Sequence, residues 1–417
     1  MALHRKILIL VAAVLAAVVS ISACSSSSTT SGSSPAAGAT SAAATASAAA
    51  AAAAGTPITI GVECSCSGAF GTTVAVGYTL LQAWQKSVNA AGGLNGHPVQ
   101  LIEKNNDSNP ATALTDAQAL VADKVTVIFD LDILDSLWEK TVSASKIPVI
   151  GGNFSSPGYY TDPDWYPSGQ TNDSITYSVA AVAKQAGATN LADFYCAESA
   201  QCQQSVPLIK AAGQSVGVPV VYSASIAATA PNYTAQCVAA KQAGVKAIFI
   251  GDSITVIDRV ASDCNQQGYD PIYVTEGTGF QNMALTTPGL ENNLWSSYPI
   301  LPYFSTKSSV TAMNAILDKY YPGATADTLT WSEFAAQAWT GALLIAQAVK
   351  NAGVTSSTAV SSATITDGLN KVSDETLGGF SPPLTFTGAK HSVDCWYTGR
   401  VQSGKAVQVG GLSCEKG

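Results

Sequence analysis

The chain has 417 residues, of which 12% are charged, and its formal net charge is −8 at pH 7. It contains no stretch rich in Lys or Arg, which disfavours nucleic acid as a partner. The part after residue 55 is too long for one compact core and suits two lobes.

Residues 1–23 have the pattern of a secretory signal. A basic start, His-Arg-Lys at residues 4–6, precedes an apolar run over 7–19, and small residues at 22–23 lead into Cys24. This arrangement resembles a bacterial lipobox, which implies that the processed protein begins at Cys24 with its sulfur acylated. The alternative is an uncleaved signal anchor with a chance cysteine, but the apolar run is short for a membrane span of about 20 residues. We therefore predict a lipid anchor on the outer face of the cell membrane.

The segment that follows Cys24 has the composition of a linker. Residues 25–55 are almost wholly Ser, Thr, Ala and Gly, and such a stretch buries too little apolar surface to fold. As a flexible coil it spans roughly 30 Å. It is either a tether that lets the body reach a membrane partner or a spacer through a cell wall.

Beyond residue 55, short β-rich runs alternate with helical patterns. We predict, in order, strand 58–62, helix 73–90, strand 99–103, helix 110–123, strand 125–131, helix 136–145 and strand 147–150. This β/α alternation predicts a parallel sheet covered by helices on both faces.

The alternation then starts again. The second series is helix 174–186, strand 191–195, helix 203–215, strand 220–225, helix 233–243, strand 247–251, helix 256–267 and strand 271–275; it is followed by helices 308–320 and 331–352 and short strands 384–387, 395–401 and 405–409. The tail has no new β/α series, so it must complete sheets already begun, and the chain must pass between lobes more than once. The prediction is an α/β protein of two doubly wound lobes, residues 56–173 with about 303–384, and 174–302 with about 385–417. Ligands bind outside the carboxyl ends of strands in such sheets, so facing lobes predict a ligand cleft that shuts by hinge motion.

Eight cysteines remain after Cys24, an even number in an exported protein, which favours disulfides. Cys196 and Cys202 flank a short loop, Cys395 and Cys414 bracket a predicted hairpin, Cys237 and Cys264 lie on successive helices, and Cys64 and Cys66 are left. The proposed pairs are Cys64–Cys66, Cys196–Cys202, Cys237–Cys264 and Cys395–Cys414, out of 105 possible pairings. The alternative is a metal site, which three histidines and no CxxC pair disfavour, so we expect neither metal nor cofactor.

Four short motifs resemble those of branched-chain amino-acid-type (Leu/Ile/Val-binding-like) periplasmic binding proteins of ABC transporters. They are Ile-Gly-Val-Glu-Cys-Ser-Cys-Ser-Gly at 60–68, Val-Asn-Ala-Ala-Gly-Gly-Leu-Asn-Gly at 88–96, Asn-Asp-Ser-Asn-Pro at 106–110 and Ile-Pro-Val-Ile-Gly at 147–151. The resemblance runs from about 56 to 417. It implies a type I periplasmic-binding-protein fold with a three-crossover hinge, no catalytic activity, and a monomer that delivers a small polar or amino-acid-like ligand to an ABC permease.

The same resemblance implies the site. By position the ligand loops are 65–70, 130–136 and 153–155 on the first lobe, and 197–202, 252–254 and 276–278 on the second. The candidate ligand-binding residues are Ser67, Phe70, Asp132, Ser136, Asn153, Phe154, Ser155, Ala200, Asp252, Ser253, Glu276 and Thr278. Ser155 suits a ligand carboxylate and Glu276 an ammonium group.

The loop after the third strand departs from the family pattern, because it reads Asp-Leu-Asp-Ile-Leu-Asp-Ser over 130–136. If Asp130 or Asp132 faced a ligand carboxylate in a desolvated site, the repulsion between the two charges would cost on the order of several kcal/mol. The loop is better matched to a cationic, amide-bearing or hydroxylated ligand. Several of these residues have an alternative, purely structural role. Asp135 suits a helix N-cap and Glu276 suits a solvated loop, whereas Phe70 and Phe154 suit the core of a lobe.

Two other classes of function are compatible with parts of the sequence. A sensor that presents its closed form to a membrane receptor would use the same cleft. An enzyme would need a positioned base, and the chain has neither a GxSxG nor an HExxH motif, although a carboxylate pair such as Asp132 and Glu276 could act on a glycoside. We expect no enzymatic activity.

Overall fold

The computed structural model describes residues 53–151, 156–198, 200–326, 331–388 and 391–415. The predicted signal, Cys24 and the linker up to residue 52 lie outside the described residues, as do Asn153, Phe154 and Ser155. No helix in the described ranges is long and apolar enough to cross a membrane.

The first sheet is built from five parallel strands in the order β2-β1-β3-β4-β5. Its strands are β1 Ile58–Cys64, β2 Val99–Asn105, β3 Val127–Leu131, β4 Val149–Gly151 and β5 Trp165–Tyr166, and the helices between them are α1 Gly71–Ala90, α2 Pro110–Ala122, α3 Glu139–Ser143 and α4 Gly158–Thr161. β3 is buried along its whole length, as expected of a parallel strand covered on both faces.

The second sheet has seven strands in the order β12-β11-β10-β9-β8-β6-β7. The chain continues through α5 Asn172–Gln185, β6 Leu191–Cys196, α6 Ala200–Val216, β7 Val220–Ile226, α7 Thr234–Gln242, β8 Ala247–Gly251, α8 Ile254–Gln266, β9 Ile272–Glu276, β10 Leu294–Tyr298, α9 Ser308–Tyr320, α10 Glu333–Asn351, α11 Ser362–Leu369, β11 Cys395–Gln402 and β12 Lys405–Cys414. Strands β6 to β10 are parallel, whereas β11 and β12 add an antiparallel edge.

Local chemistry explains several element ends. Asn109 caps α2 by accepting hydrogen bonds from the backbone N–H groups of Ala111 and Thr112, and Pro110 takes the first helical position, where its missing N–H costs nothing. After α1 the chain reverses through Gly92 at φ 97°, a conformation that favours glycine.

Helices cover both faces of the first sheet. A Cβ on Gly61 would lie 2.8 Å from Leu120 of α2, so β1 and α2 pack closely on one face. Phe129 is in register with Val62, so it points to the opposite face, where a Cβ on Gly341 of α10 would lie 2.7 Å from its ring. The late helix α10 therefore returns to the first lobe, as the two-lobe prediction requires.

Three segments connect the two sheets, and they lie side by side. The first follows β5, the second follows β10 and the third precedes β11. The Gln170 N–H donates to the Pro299 carbonyl at 2.9 Å, and the Thr171 N–H donates to the Val393 carbonyl at 3.0 Å. The crossings thus form a hydrogen-bonded hinge. The numerical lobe boundaries given above stay predictions.

The structure corrects four parts of the predicted element order. The segment 384–387 is not a strand, since Leu384 makes only an isolated bridge with Glu375. The predicted helix 136–145 is a 3₁₀ turn followed by the short α3, and Asp135 lies inside that turn instead of capping a helix. The short strand β5 with α4, and β10 with α11, have no counterpart in the prediction.

The four predicted cysteine pairs are adjacent in the structure and are joined as disulfides. Their Cα–Cα distances are 5.1 Å for Cys64–Cys66, 5.5 Å for Cys196–Cys202, 5.1 Å for Cys237–Cys264 and 3.9 Å for Cys395–Cys414. Within the described ranges no group of three or more His, Cys, Asp or Glu side chains is placed to hold a metal ion.

Candidate functional site

A cavity of about 210 Å³ opens between the two sheets. The second sheet contributes the carboxyl ends of β6, β8 and β9, where α/β folds place their ligands. The first lobe contributes the start of α1 and one turn of α10, and the hinge contributes Gln170, Asn172 and Pro299. Both lobes and the hinge therefore meet in one space.

Apolar side chains form much of the cavity wall. Those from the first lobe are Phe70, Val74, Ile133 and Phe334, and those from the second are Ile175, Tyr195 and Phe249. Apolar walls with a few polar groups are typical of small-molecule sites, in which shape gives affinity and the polar groups give orientation.

Glu276 is one of three acids that line the cavity. It is the last residue of β9 and directly precedes a 3₁₀ turn at Gly277–Gly279. Gly277 lets this strand end approach β10, because a Cβ there would lie 2.5 Å from the ring of Tyr298. Burial raises the pKa of Glu276 to about 7. Its carboxyl group therefore ionises readily only when a cation or a strong donor joins it.

Asp252 lies at the neighbouring strand end, directly after β8. One oxygen, Oδ1, accepts a hydrogen bond of 2.6 Å from the Ser253 N–H. The other, Oδ2, is buried and has no hydrogen-bond partner among the described residues. Burial, with a smaller contribution from the charge of Glu198, raises the pKa of this carboxyl to about 6. Asp252 thus presents an unsatisfied acceptor in the cavity wall.

The loop after β6 supplies a third acid and a contact between lobes. Glu198 is exposed, and its Oε1 accepts a hydrogen bond from the Ala228 N–H at 2.7 Å. Three residues on, the Gln201 Nε2 donates to the Asp135 carboxyl of the first lobe at 3.3 Å. The Cys196–Cys202 disulfide closes this loop, and both cysteines line the cavity.

Gln337 brings an amide into the cavity from α10. It is 2% exposed, and its Oε1 has no hydrogen-bond partner within the part of the chain that the structure describes. A buried amide oxygen without a partner is costly, so a ligand donor at this point would be stabilising.

In the acidic loop over 130–136, the carboxylates of Asp130 and Asp132 belong to a buried hydrogen-bond network and do not line the cavity. Asp130 accepts hydrogen bonds of 2.8 Å from the Tyr159 hydroxyl and from the Asp132 N–H. Asp132 accepts from the Trp138 indole at 2.8 Å and from the Ser65 hydroxyl. Both residues are fully buried.

Burial of this loop and the proximity of its acids to one another consequently raise the pKa values of Asp130 and Asp135. Burial raises the pKa of Asp130 well above its usual value, and the neighbouring Asp135 and Asp132 raise it further. Burial, followed by the charge of Asp132, raises the pKa of Asp135 to about 8. Because Asp130 and Asp132 make internal hydrogen bonds and do not line the cavity, the expected repulsion between them and a ligand carboxylate does not arise.

The structure brings five of the twelve candidate residues to the cavity: Phe70, Asp252, Ser253, Glu276 and Thr278. Three do not line it. The Ser67 hydroxyl accepts a hydrogen bond from the Asn105 side chain at the end of β2, Asp132 is held in the buried network, and Ser136 is exposed to solvent. Ala200 begins α6 with its side chain outside the described atoms, and Asn153, Phe154 and Ser155 are not described.

Sequence reasoning missed most of the amides in the site. Gln170 and Asn172 lie in a hinge segment that had no predicted element, and Gln337 lies in the predicted helix 331–352, for which no site residue was predicted. A signal was present for Gln337, since it interrupts the apolar run Phe-Ala-Ala-Gln-Ala over 334–338. Glu198 and Gln201 lie in the predicted loop 197–202, of which the sequence singled out Ala200.

A family model described as a periplasmic binding protein matches residues 57–406. No curated protein matches the chain. Solved structures do match it, among them a fatty acid ABC transporter substrate-binding protein from Thermomonospora curvata, with 16% identity, a TM-score of 0.75, and 87% of this chain and 93% of that chain covered. A benzoate complex of a solute-binding protein from R. palustris has 15% identity, a TM-score of 0.70 and coverage of 86% and 96%. LivJ from Streptococcus pneumoniae, in complex with isoleucine, has 18% identity, a TM-score of 0.67 and coverage of 85% and 99%. Identities this low show a shared fold.

Proposed function

Since the chain belongs to the periplasmic binding protein family, whose members here are substrate-binding proteins and not enzymes, we propose that it is the extracytoplasmic solute-binding lipoprotein of an ABC importer. It captures a small polar or amino-acid-like ligand by closure of its two lobes and presents the closed form to a membrane permease. The observation that carries this proposal is the cavity lined by both lobes and by the hinge.

The cavity supports capture by closure because its polar groups come from both lobes. Glu276 and Asp252 lie on the second sheet, whereas Gln337 lies on a helix of the first lobe. A ligand that contacts both sides binds the closed arrangement better than the open one, and this difference in affinity is what shifts the equilibrium.

The contact between Gln201 and Asp135 supports the same mechanism. It joins α6 of the second lobe to the acidic loop of the first beside the cavity. A hydrogen bond of this kind contributes on the order of 1 kcal/mol, which is enough to bias a hinge but not to lock it. Ligand contacts then supply the rest of the closing free energy.

A ligand screen by thermal unfolding tests the binding function. The full chain is heated with leucine, isoleucine, lysine, benzoate and 1,4-diaminobutane in turn, and small-angle scattering then follows the best stabiliser. A ligand present at 100 times its Kd adds about 2.7 kcal/mol to stability. We expect one compound to raise the unfolding temperature and to reduce the radius of gyration. Stabilisation with no change in the radius would contradict closure.

Transport and anchoring need separate measurements. Labelled-ligand uptake by cells that lack this protein tests the importer role, and retained uptake together with a lost ligand response would favour the alternative, a sensor that signals to a membrane receptor. Palmitate labelling tests the anchor: Cys24→Ser should abolish incorporation and release the protein from membranes, whereas the neighbouring Ser25→Ala should do neither. Equal labelling of both variants would refute the lipoprotein assignment.

A further inference from the structure

In the described part of the chain, the charged side chains that line the cavity are all acidic. Three of its lining residues carry carboxyl groups, Glu198, Asp252 and Glu276. None of the lining residues that the structure describes is Lys, Arg or His. Among the described lining residues, acidic groups are therefore in excess and no basic side chain accompanies them.

The three acids form a row. Glu276 ends β9, Asp252 directly follows β8, and Glu198 follows β6, and these strands are neighbours in the order β9-β8-β6. Adjacent strands lie about 4.8 Å apart, so the outer two positions are about 10 Å apart along the sheet edge. The row runs from the half-buried Glu276 and Asp252 to the exposed Glu198.

We propose that the ligand of this site is a small organic dication, with two protonated amino groups joined by a short apolar chain. This inference rests on the proposed binding function and names its ligand class. One amino group lies against Glu276 and the second against Asp252, with Glu198 attracting the ligand at the rim. The apolar chain contacts the wall formed by Phe249, Ile175 and Tyr195.

The case for two positive groups follows from the cost of buried charge. An ionised carboxylate in a desolvated site is unfavourable unless a cation or donors compensate it. A ligand with one amino group would compensate Glu276 or Asp252 and leave the other uncompensated. Asp252 Oδ2 and the Oε1 of the 2% exposed Gln337 have no hydrogen-bond partner among the residues that the structure describes, and N–H donors of such a ligand would satisfy both acceptors. The aromatic walls also favour cations at short range.

Two sources share this chemistry, a free diamine and a basic amino acid. They differ in the carboxylate that a basic amino acid carries. Calorimetric titration of the full chain with 1,4-diaminobutane and with lysine separates them, and either one binding tightly supports the dication inference. The critical comparison is 1-aminobutane, which keeps the apolar chain and removes one amino group. We expect it to bind at least about 30-fold more weakly than the better dication.

Variants test which acids take part. Glu276→Gln should weaken dication binding about 30-fold and Asp252→Asn about 10-fold, whereas Glu198→Gln should change it less than about 3-fold because exposed charges are screened. The matched control is Glu291→Gln, which neutralises an exposed acid of the same lobe outside the cavity and should leave the affinity unchanged. Unfolding temperatures without ligand show whether each variant remains folded, and the comparison of the two amines needs no variant.

The outcomes separate the two levels of inference. Equal binding of 1-aminobutane and 1,4-diaminobutane, or an unchanged affinity in Glu276→Gln and Asp252→Asn, overturns the dication inference. If leucine or benzoate closes the lobes and neither dication binds, the solute-binding function stands and the ligand class is refuted. If none of these compounds binds, the dication inference is refuted and the binding function loses its support.

Discussion

The affinity for a dication should fall as the pH is lowered from 8 to 6. Burial raises the pKa of Glu276 to about 7 and that of Asp252 to about 6, and a cation binds the ionised forms. Over this interval the ionised fraction falls about tenfold for a group with pKa 7 and about twofold for one with pKa 6. The dissociation constant should therefore rise about 20-fold between pH 8 and pH 6.

Isothermal titration with 1,4-diaminobutane at several pH values measures this dependence. Binding should also release protons below pH 7, since the cation lowers both carboxyl pKa values. Repeating the titration in buffers of different ionisation enthalpy reports that release. The other titratable groups near the two acids are Tyr298 and Glu333, which lie beside Gly277, the residue after Glu276, and Glu198 and Tyr233, which interact electrostatically with Asp252. In Glu276→Gln the change should shrink to about twofold. An affinity that is constant or rises toward pH 6 would refute the reasoning.

Three further predictions concern the framework of the site. Glu63→Gln should stabilise the protein by about 3 kcal/mol at pH 7 and by little at pH 5 in urea unfolding, because burial raises the pKa of Glu63 to about 9 and so stability falls as pH rises above about 4.5. Gln201→Ala removes the hydrogen bond to Asp135, which should shift the equilibrium of the unliganded protein toward the open form by about 1 kcal/mol. Scattering should then show a larger radius of gyration, and an unchanged radius would contradict the bridging role. Gly341→Ala should destabilise by about 1–3 kcal/mol in thermal unfolding, since its Cβ would lie 2.7 Å from the Phe129 ring, and a neutral effect would mean that the helix shifts freely.

Much of the element order follows from local patterns in the sequence. The helix 308–320 was predicted at its observed bounds, and the strand 247–251 likewise, because buried strands and amphipathic helices have short-range periodicities. The strand β5 has two residues, which is too few for a periodicity to emerge, and β10 reads Leu-Trp-Ser-Ser-Tyr, in which two serines interrupt the apolar pattern. The tail segment 384–387 has strand-like residues but lacks a neighbouring strand with which to pair.

The candidate site was predictable only in part, and the reason is physical. Loops that follow strands could be placed at the cleft from the β/α order, and the resemblance to the binding-protein family singled out Glu276 and Asp252 within them, both of which line the cavity. Which side chain of a loop faces the ligand depends on packing. Asp132 is turned inward by the Trp138 indole and the Ser65 hydroxyl, neither of which local sequence pairs with it.

The sequence by itself determined the alternation of strands and helices, the two-lobe organisation and the resemblance to a binding-protein family, since these depend on periodicity and on short motifs. Only the tertiary structure decided which polar groups meet in the cavity. Gln170, Gln337 and Glu276 are far apart along the chain, and they converge because three hinge crossings and the return of α10 to the first lobe bring them to one place. Long-range packing and burial, which set both the position and the pKa of each acid, are properties of the folded chain that no local pattern contains.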